Sequence, residues 1–363
     1  MAKVMNLREA FEAFVILMKT HEEGVFFSHR TPEGKTQWHC GVGKAEKVDF
    51  DHPSFPFFCV TDFLGKECLG WKFEYRQSGD IRAEKFSYEA RLPRAQRQRF
   101  SLKAKSQESK KSFMVKIKEI QDFQRSGNSW VLNLAHQFEG VLEPKAKSFD
   151  LAVEIFKQFL KQEKPHTGGF IWTQDLQAIS LSPETFLHHH DRTLKTFPIK
   201  GTGEKQRLEE SQKEQAELHM ITDLLRNDLG QICKKVEVLQ ERVFTDQKTF
   251  HHSHSVIEGV MKEACLTWKK YQKLLPAGSV SGAPKKRVVE KILETESFQR
   301  DFYTGTFGVR LSEKESLFGI LIRTIFFENQ HWKLPVGAGI TVDSDPKAEW
   351  EETLEKAKSC LDF

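Results

Sequence analysis

Residues 168–199, GGFIWTQDLQAISLSPETFLHHHDRTLKTFPI, contain three strand-like runs, GGFIWTQ, QAISLSPETFL and TLKTFPI, that read as antiparallel strands. Outward from them the pattern changes. Phe149, Val153, Phe156 and Leu160 lie on one helical face, and Phe113–Phe123 has helical spacing that Ser126-Gly127-Asn128 stops. Between those helices SWVLNLAHQF reads as a strand. Nearer the N-terminus, Gly24–Phe27, Phe55–Val60 and Trp71–Tyr75 are short strand-like runs broken by Gly, Pro and Asp. Strands and helices are mixed without internal repeat, which predicts an α+β protein rather than a doubly wound sheet.

With 363 residues, 39% of them hydrophobic and thirty phenylalanines, the chain can bury a large core as one large domain or two. The N-terminus has charges ahead of its short apolar run Phe14–Met18 and no small-residue cleavage site, so no signal peptide is expected. No apolar run reaches the length of a membrane span. Six scattered cysteines (Cys40, Cys59, Cys68, Cys233, Cys265, Cys360) without a Cys-x-x-Cys pair suit reduced thiols, and the expected location is the cytoplasm. The net charge of +4 is local in origin: Arg91–Lys118 holds ten Lys or Arg against one acid, Glu108. That segment reads as a solvated linker and helix start, or alternatively as a patch for an anionic partner such as nucleic acid.

Chemistry concentrates in the second half. In KEQAELHMITDLLRNDLG, Leu218, Ile221, Leu224 and Leu225 fall at helical spacing, and Gly230 is placed as a stop. Glu214 and Glu217, three apart, are neighbours on that helix. In DSDPKAEWEETLEKAKSCL, Asp345 can cap, Pro346 suits the first helical position, and Glu349, Glu352 and Lys356 share a face. Two such helices could surround a hard cation with carboxylate oxygens, as Mg²⁺ requires, although Glu pairs at this spacing also occur on solvated faces. PAGSVSGAPKKRVVEKI leads small residues into an apolar-periodic helix, where free N–H groups can meet an anion. VGAGITVD places Gly337 and Gly339 where a strand runs close to a neighbour. Lys200, in KTFPIKGT, stands between a proline-braced apolar residue and a glycine. A cation held so rigidly suits chemistry better than a free surface.

Eight motifs in order, LSPETF, FPIKGT, HMITDLLRNDLG, HHSHSVIEG, GSVSGAPKKR, FYTGTFGV, LIRTIFFEN and GAGITVDSDPKAEWEETLEKA, closely resemble the chorismate-binding enzymes, which include component I of anthranilate synthase and of aminodeoxychorismate synthase. The resemblance covers about residues 112–363, with residues 1–111 expected as a shortened N-terminal region of the same fold. It implies a large antiparallel two-sheet β-sandwich flanked by helices, with chorismate held beside Mg²⁺. Glu214, Glu217, Glu349 and Glu352 match the metal cluster, Glu217 and Glu352 as the direct ligands. Tyr303 and Arg323 match side chains that hold a substrate carboxylate, which a planar guanidinium bonds through both oxygens. Backbone groups of Gly282, Ala283, Gly337 and Ala338 are expected to line the site, Lys356 to stand at the metal-bound carboxylate, and His252 to be the active-site histidine. His251 and His254 match no role. The run His188–His190 alternates faces on a strand and is not expected to bind metal.

Lysine at position 200 is the mark of aminodeoxychorismate synthase component I; the anthranilate-forming members carry alanine there. The resemblance implies covalent catalysis, with Lys200 adding at C2 of chorismate, the C4 hydroxyl leaving, and ammonia then expelling the lysine, while Glu184 handles the protons. The product would be 4-amino-4-deoxychorismate, on the way to p-aminobenzoate and folate. Phe197 replaces the arginine that often precedes the motif's proline, and the tryptophan pocket of longer relatives is not identifiable. No glutaminase or lyase segment is recognisable, so ammonia from a separate glutamine amidotransferase subunit and a separate aminodeoxychorismate lyase are expected. Anthranilate synthase component I is the alternative enzyme. Outside that class stands a non-catalytic binder of anionic ligands or nucleic acid.

Overall fold

The run at 168–199 forms four strands, Thr167–Trp172, Gln177–Ser180, Thr185–His190 and Thr193–Thr196, where three were expected. The stretch QAISLSPETFL is divided between Ser180 and Thr185 because Pro183 cannot donate to a ladder. In the computed structural model the described residues are 6–31, 35–77, 104–142, 147–162, 167–203, 212–246 and 251–361.

Among the described residues every strand pairing is antiparallel, and eighteen strands form one hydrogen-bonded network. One layer runs from Thr36–Val48 through Gly24–Arg30, Thr167–Trp172, Gln177–Ser180, Thr324–Glu328 and His331–Ile340 to Val131–Val141. The other runs from Cys68–Gln77 through Phe57–Thr61, Thr306–Ser312, Glu315–Ile320, Thr185–His190 and Thr193–Thr196 to His251–Met261, flanked by Cys233–Asp246. Pairing of Thr36–Val48 with Cys68–Gln77 joins them. The layers pack face to face: Phe27 of one meets Phe307 of the other edge-on, with ring centroids 5.3 Å apart. The expected antiparallel β-sandwich is therefore present, with helices around it.

Those helices are α1 (Leu7–Met18), α2 (Lys110–Arg125), α3 (Ser148–Gln162), α4 (Gln212–Gly230), α5 (Trp268–Gln272), α6 (Lys285–Thr295) and α7 (Pro346–Leu361). Helix α1 starts at a capping box, in which the Asn6 side chain accepts from Glu9 N–H and the Glu9 carboxylate accepts from Asn6 N–H. It then buries Phe11 and Phe14 against Phe26, Phe156 and Phe170, so α1 and α3 share one aromatic cluster on the sheet. Burial of each such ring contributes about 2–3 kcal/mol. No helix among the described residues is long and apolar enough to cross a membrane.

Of the basic segment, residues 91–103 lie outside the described set. The remainder starts α2, where Lys110 pairs with Glu351 at 2.6 Å and Lys116 with the buried Glu108. These cations are engaged within the fold.

Candidate active site

Strand Val131–Val141 organises the backbone of the two small-residue motifs. On one side it pairs with His331–Ile340, setting Gly337 opposite Ala135 and Ala338 opposite Leu134. On the other, Gly282 lies opposite Leu132 and Ala283 opposite Val131. The two small-residue motifs, more than fifty residues apart in sequence, thus flank one strand. A side chain at either glycine would collide: a Cβ at Gly282, whose φ is +141°, would lie 2.1 Å from the Val131 carbonyl oxygen, and one at Gly337 would lie 2.7 Å from Asn133 Oδ1. The chain therefore keeps bare backbone here.

Helix α7 lies on strand His331–Ile340. Asp345 accepts from Ala348 N–H at 2.7 Å and Pro346 opens the helix, the start expected from the sequence. Lys356 Nζ donates to the Gly337 carbonyl at 2.8 Å and pairs with Glu352 at 2.7 Å. Glu349 is buried and accepts from the Ser344 hydroxyl at 2.7 Å. Glu352 is thus tied through Lys356 to the Gly337 backbone, while Glu349 is held by Ser344.

A second group gathers at segment 320–323. Ile320 N–H donates to the Glu184 carbonyl, Leu181 N–H to the Arg323 carbonyl, and Thr304 N–H to the Leu321 carbonyl. Glu184, Arg323 and Tyr303 are thereby drawn to one corner. Glu184 and Tyr303 are buried, and burial pushes the Tyr303 phenol well up. Arg323 adopts a left-handed φ of 49° and Thr304 one of 62°, so this corner carries backbone strain.

The third group lies on α4 and the strands beneath it. Leu218, Ile221, Leu224 and Leu225 are buried as their spacing predicts, and Glu217 is half-buried. Lys200 sits on strand Ile199–Gly203 opposite Ser253, and Thr202 opposite His252; the register slips between Lys200 and Thr202. Such slips re-aim side chains and recur beside active sites. The side chains of Lys200, His252 and Glu214 lie outside the described set.

Four carboxylates on two helices are oxygen donors of the kind a hard cation takes. Among the described residues, which do not include the Glu214 side chain, no three His, Cys, Asp or Glu side chains stand close enough to hold a metal. The histidine run behaves as expected of a strand: His189 is buried with Nε2 2.8 Å from the carbonyls of Asp191 and Ala264, and His190 is exposed.

Sequence reasoning missed the buried ion pairs, among them one between α4 and α6. Asp228, near the end of α4, meets Lys285, the first residue of α6, at 2.7 Å. Burial lifts the Asp228 carboxyl to about 6, and burial lowers the Lys285 ammonium from its ordinary value. The Leu224–Asp228 helical spacing and the run APKK were visible, but not that they meet.

Residues 44–362 match the sequence profile of the chorismate binding enzyme family. The chain belongs to that family. The match begins well before the motifs that carry the resemblance in sequence. Among curated relatives, anthranilate synthase component 1 of Haloarcula marismortui is 30% identical over 266 residues, covering 70% of this chain and 53% of the relative. Aminodeoxychorismate synthase component 1 of Klebsiella aerogenes is 29% identical over 266 residues, covering 70% of this chain and 58% of the relative. The chain thus spans little more than half the length of these relatives. Among solved structures, the menaquinone-specific isochorismate synthase of Escherichia coli superposes with a TM-score of 0.79 at 16% identity, over 99% of this chain and 93% of that one. That likeness is one of fold.

Proposed function

We propose that this enzyme is aminodeoxychorismate synthase component I, converting chorismate and ammonia to 4-amino-4-deoxychorismate for p-aminobenzoate and folate synthesis. The observation that carries the reading is Lys200 in PIKGT, on a strand beside His252. In the first step neutral Lys200 Nζ forms a bond to C2, both ring double bonds shift (C1=C2 to C1=C6 and C5=C6 to C4=C5), and the C4–oxygen bond breaks. Glu184 protonates the departing hydroxide, which leaves as water. Ammonia then bonds to C4, both double bonds shift back, the C2–nitrogen bond breaks to release neutral Lys200, and Glu184 takes the surplus proton. A free lysine, with pKa about 10.4, is neutral at pH 7 only about once in 2,500, a handicap of roughly 4.6 kcal/mol, so the site must disfavour the ammonium.

Tyr303 and Arg323 would hold a substrate carboxylate, and the backbone of Gly282, Ala283, Gly337 and Ala338 would line the ring's other face. Mg²⁺ would be held by Glu217 and Glu352, with Glu214 and Glu349 in support and Lys356 beside Glu352; when bound it supplies positive charge for a substrate carboxylate. Ammonia would come from a separate glutamine amidotransferase subunit, and a lyase on a separate chain would take the product.

The test is chemical trapping. Given chorismate and Mg²⁺ without ammonia, the enzyme should accumulate an adduct on the peptide TFPIKGTGEK at Lys200, seen by mass. Lys200→Ala should lose both the adduct and at least a hundredfold of aminodeoxychorismate formation. The same assay separates anthranilate synthase component I, the activity of the Haloarcula relative: anthranilate as the product, with no adduct, would replace the present reading.

A further inference from the structure

We infer that Arg300, clamped by Glu296, is the positioning residue that sets the chorismate cradle; this rests on the reading that chorismate binds between Gly282, Gly337 and Tyr303. Arg300 and Glu296 are fully buried partners, with side chains only 2% exposed each. All five guanidinium N–H groups have acceptors. Nε donates to Glu296 Oε2 at 2.8 Å; Nη1 donates to the Val280 carbonyl at 2.9 Å and Thr304 Oγ1 at 3.2 Å; Nη2 donates to the Asn133 carbonyl at 2.8 Å and Glu296 Oε1 at 2.6 Å. Glu296 Oε1 also accepts from Ala135 N–H at 2.7 Å.

The acceptors identify the role. Val280 precedes the Gly282-Ala283 backbone, Asn133 lies opposite Gly339, and Ala135 lies opposite Gly337. Thr304 follows Tyr303 at a left-handed φ, and its hydroxyl, receiving from Arg300, donates to the Tyr303 carbonyl at 2.5 Å. One rigid planar group therefore spaces the two strips of bare backbone and the tyrosine corner. Net stability is a weak reason for burying such a pair, because desolvation offsets most of the attraction. A lysine has three donors on a flexible stem and cannot reproduce the fork.

The experiment compares Arg300→Lys with Arg310→Lys. Arg310 is also buried, but it stacks on Phe50 and lies about 20 Å along the chain from Thr304. Both variants should melt earlier. Arg300→Lys should raise the KM for chorismate at least tenfold while changing kcat less, and Arg310→Lys should leave KM within twofold. Amide hydrogen exchange should quicken together at 133–135, 280–283 and 303–305 in Arg300→Lys and not in Arg310→Lys. That exchange reading decides the inference even if the parent enzyme neither binds nor consumes chorismate, a result that would sink the substrate reading alone. Should Arg300→Lys fail to fold, Glu296→Gln takes its place, since the amide keeps an acceptor for Ala135 and removes the charge. An unchanged KM, or equal exchange in both variants, overturns the inference.

Discussion

Lys356 shows how one side chain serves two parts of the candidate site. Its ammonium joins the Glu352 carboxylate to the Gly337 carbonyl, so the charge on α7 is registered to the backbone that would face substrate. If Glu352 is a Mg²⁺ ligand, Glu352→Gln keeps the shape and removes the charge. The Mg²⁺ concentration for half-maximal turnover should then rise ten- to a hundredfold, with thermal stability nearly unchanged because the Glu352–Lys356 pair is solvated. Turnover measured across a Mg²⁺ titration checks this, and an unchanged midpoint removes Glu352 from the metal. The glycines make the same argument in reverse: Gly282 and Gly337 matter for what they leave out, since any Cβ there meets a carbonyl or amide oxygen.

At the scale of elements, α4 is seated by contact with the turn Gly278–Val280. A Cβ on Gly278 would lie 2.7 Å from Leu224 Cγ and 3.2 Å from Asp228 Oδ2. Gly278→Ala should cost about 1–3 kcal/mol by overpacking, and Leu224→Ala about 2–4 kcal/mol by leaving a cavity. The double variant should cost clearly less than their sum, because the new methyl enters the space the leucine leaves. Urea unfolding of the four proteins measures the coupling; strict additivity would mean the two do not touch. The faces of such helices were legible in sequence, where Leu218, Ile221, Leu224 and Leu225 already marked the buried side of α4. So were the start of α7 at Asp345-Pro346 and the strand character of 168–199. What pairs with what was not legible. Register between Val131–Val141 and His331–Ile340 is set by packing between segments some two hundred residues apart, and local periodicity carries no such information. For the same reason the motifs named Gly282 and Gly337, while their position on either side of one strand came only with the fold.

Across the whole molecule the sheet layers bury His29, His39 and His136 where burial favours the neutral ring, and burial lowers His189 in the same direction. His29 and His39 stack between neighbouring strands with their Nε2 atoms 3.4 Å apart, an arrangement in which one ring donates and the other must accept. Tyr75 lies on His39 Nδ1, and His188 and Gln37 face His29. His136 stacks on Trp350 beneath α7, with its Nε2 2.8 Å from Thr353 Oγ1 and with Glu108 and Lys116 nearby. Burial holds His29 at about 3 and His39 and His136 at about 4. In the unfolded chain each returns to about 6.5. Below that value the unfolded state binds more protons than the folded one, so stability rises with pH through this window and falls on acidification. Between pH 7.5 and 5 each histidine should remove about 2 kcal/mol of unfolding free energy, in a range where most carboxylates have yet to titrate. The urea midpoint should drop over that interval, and His136→Gln should lessen the loss of unfolding free energy by about 2 kcal/mol, because glutamine does not titrate. A midpoint flat from pH 7.5 to 5 would mean that the rings are protonated, or exposed to water, within the folded protein.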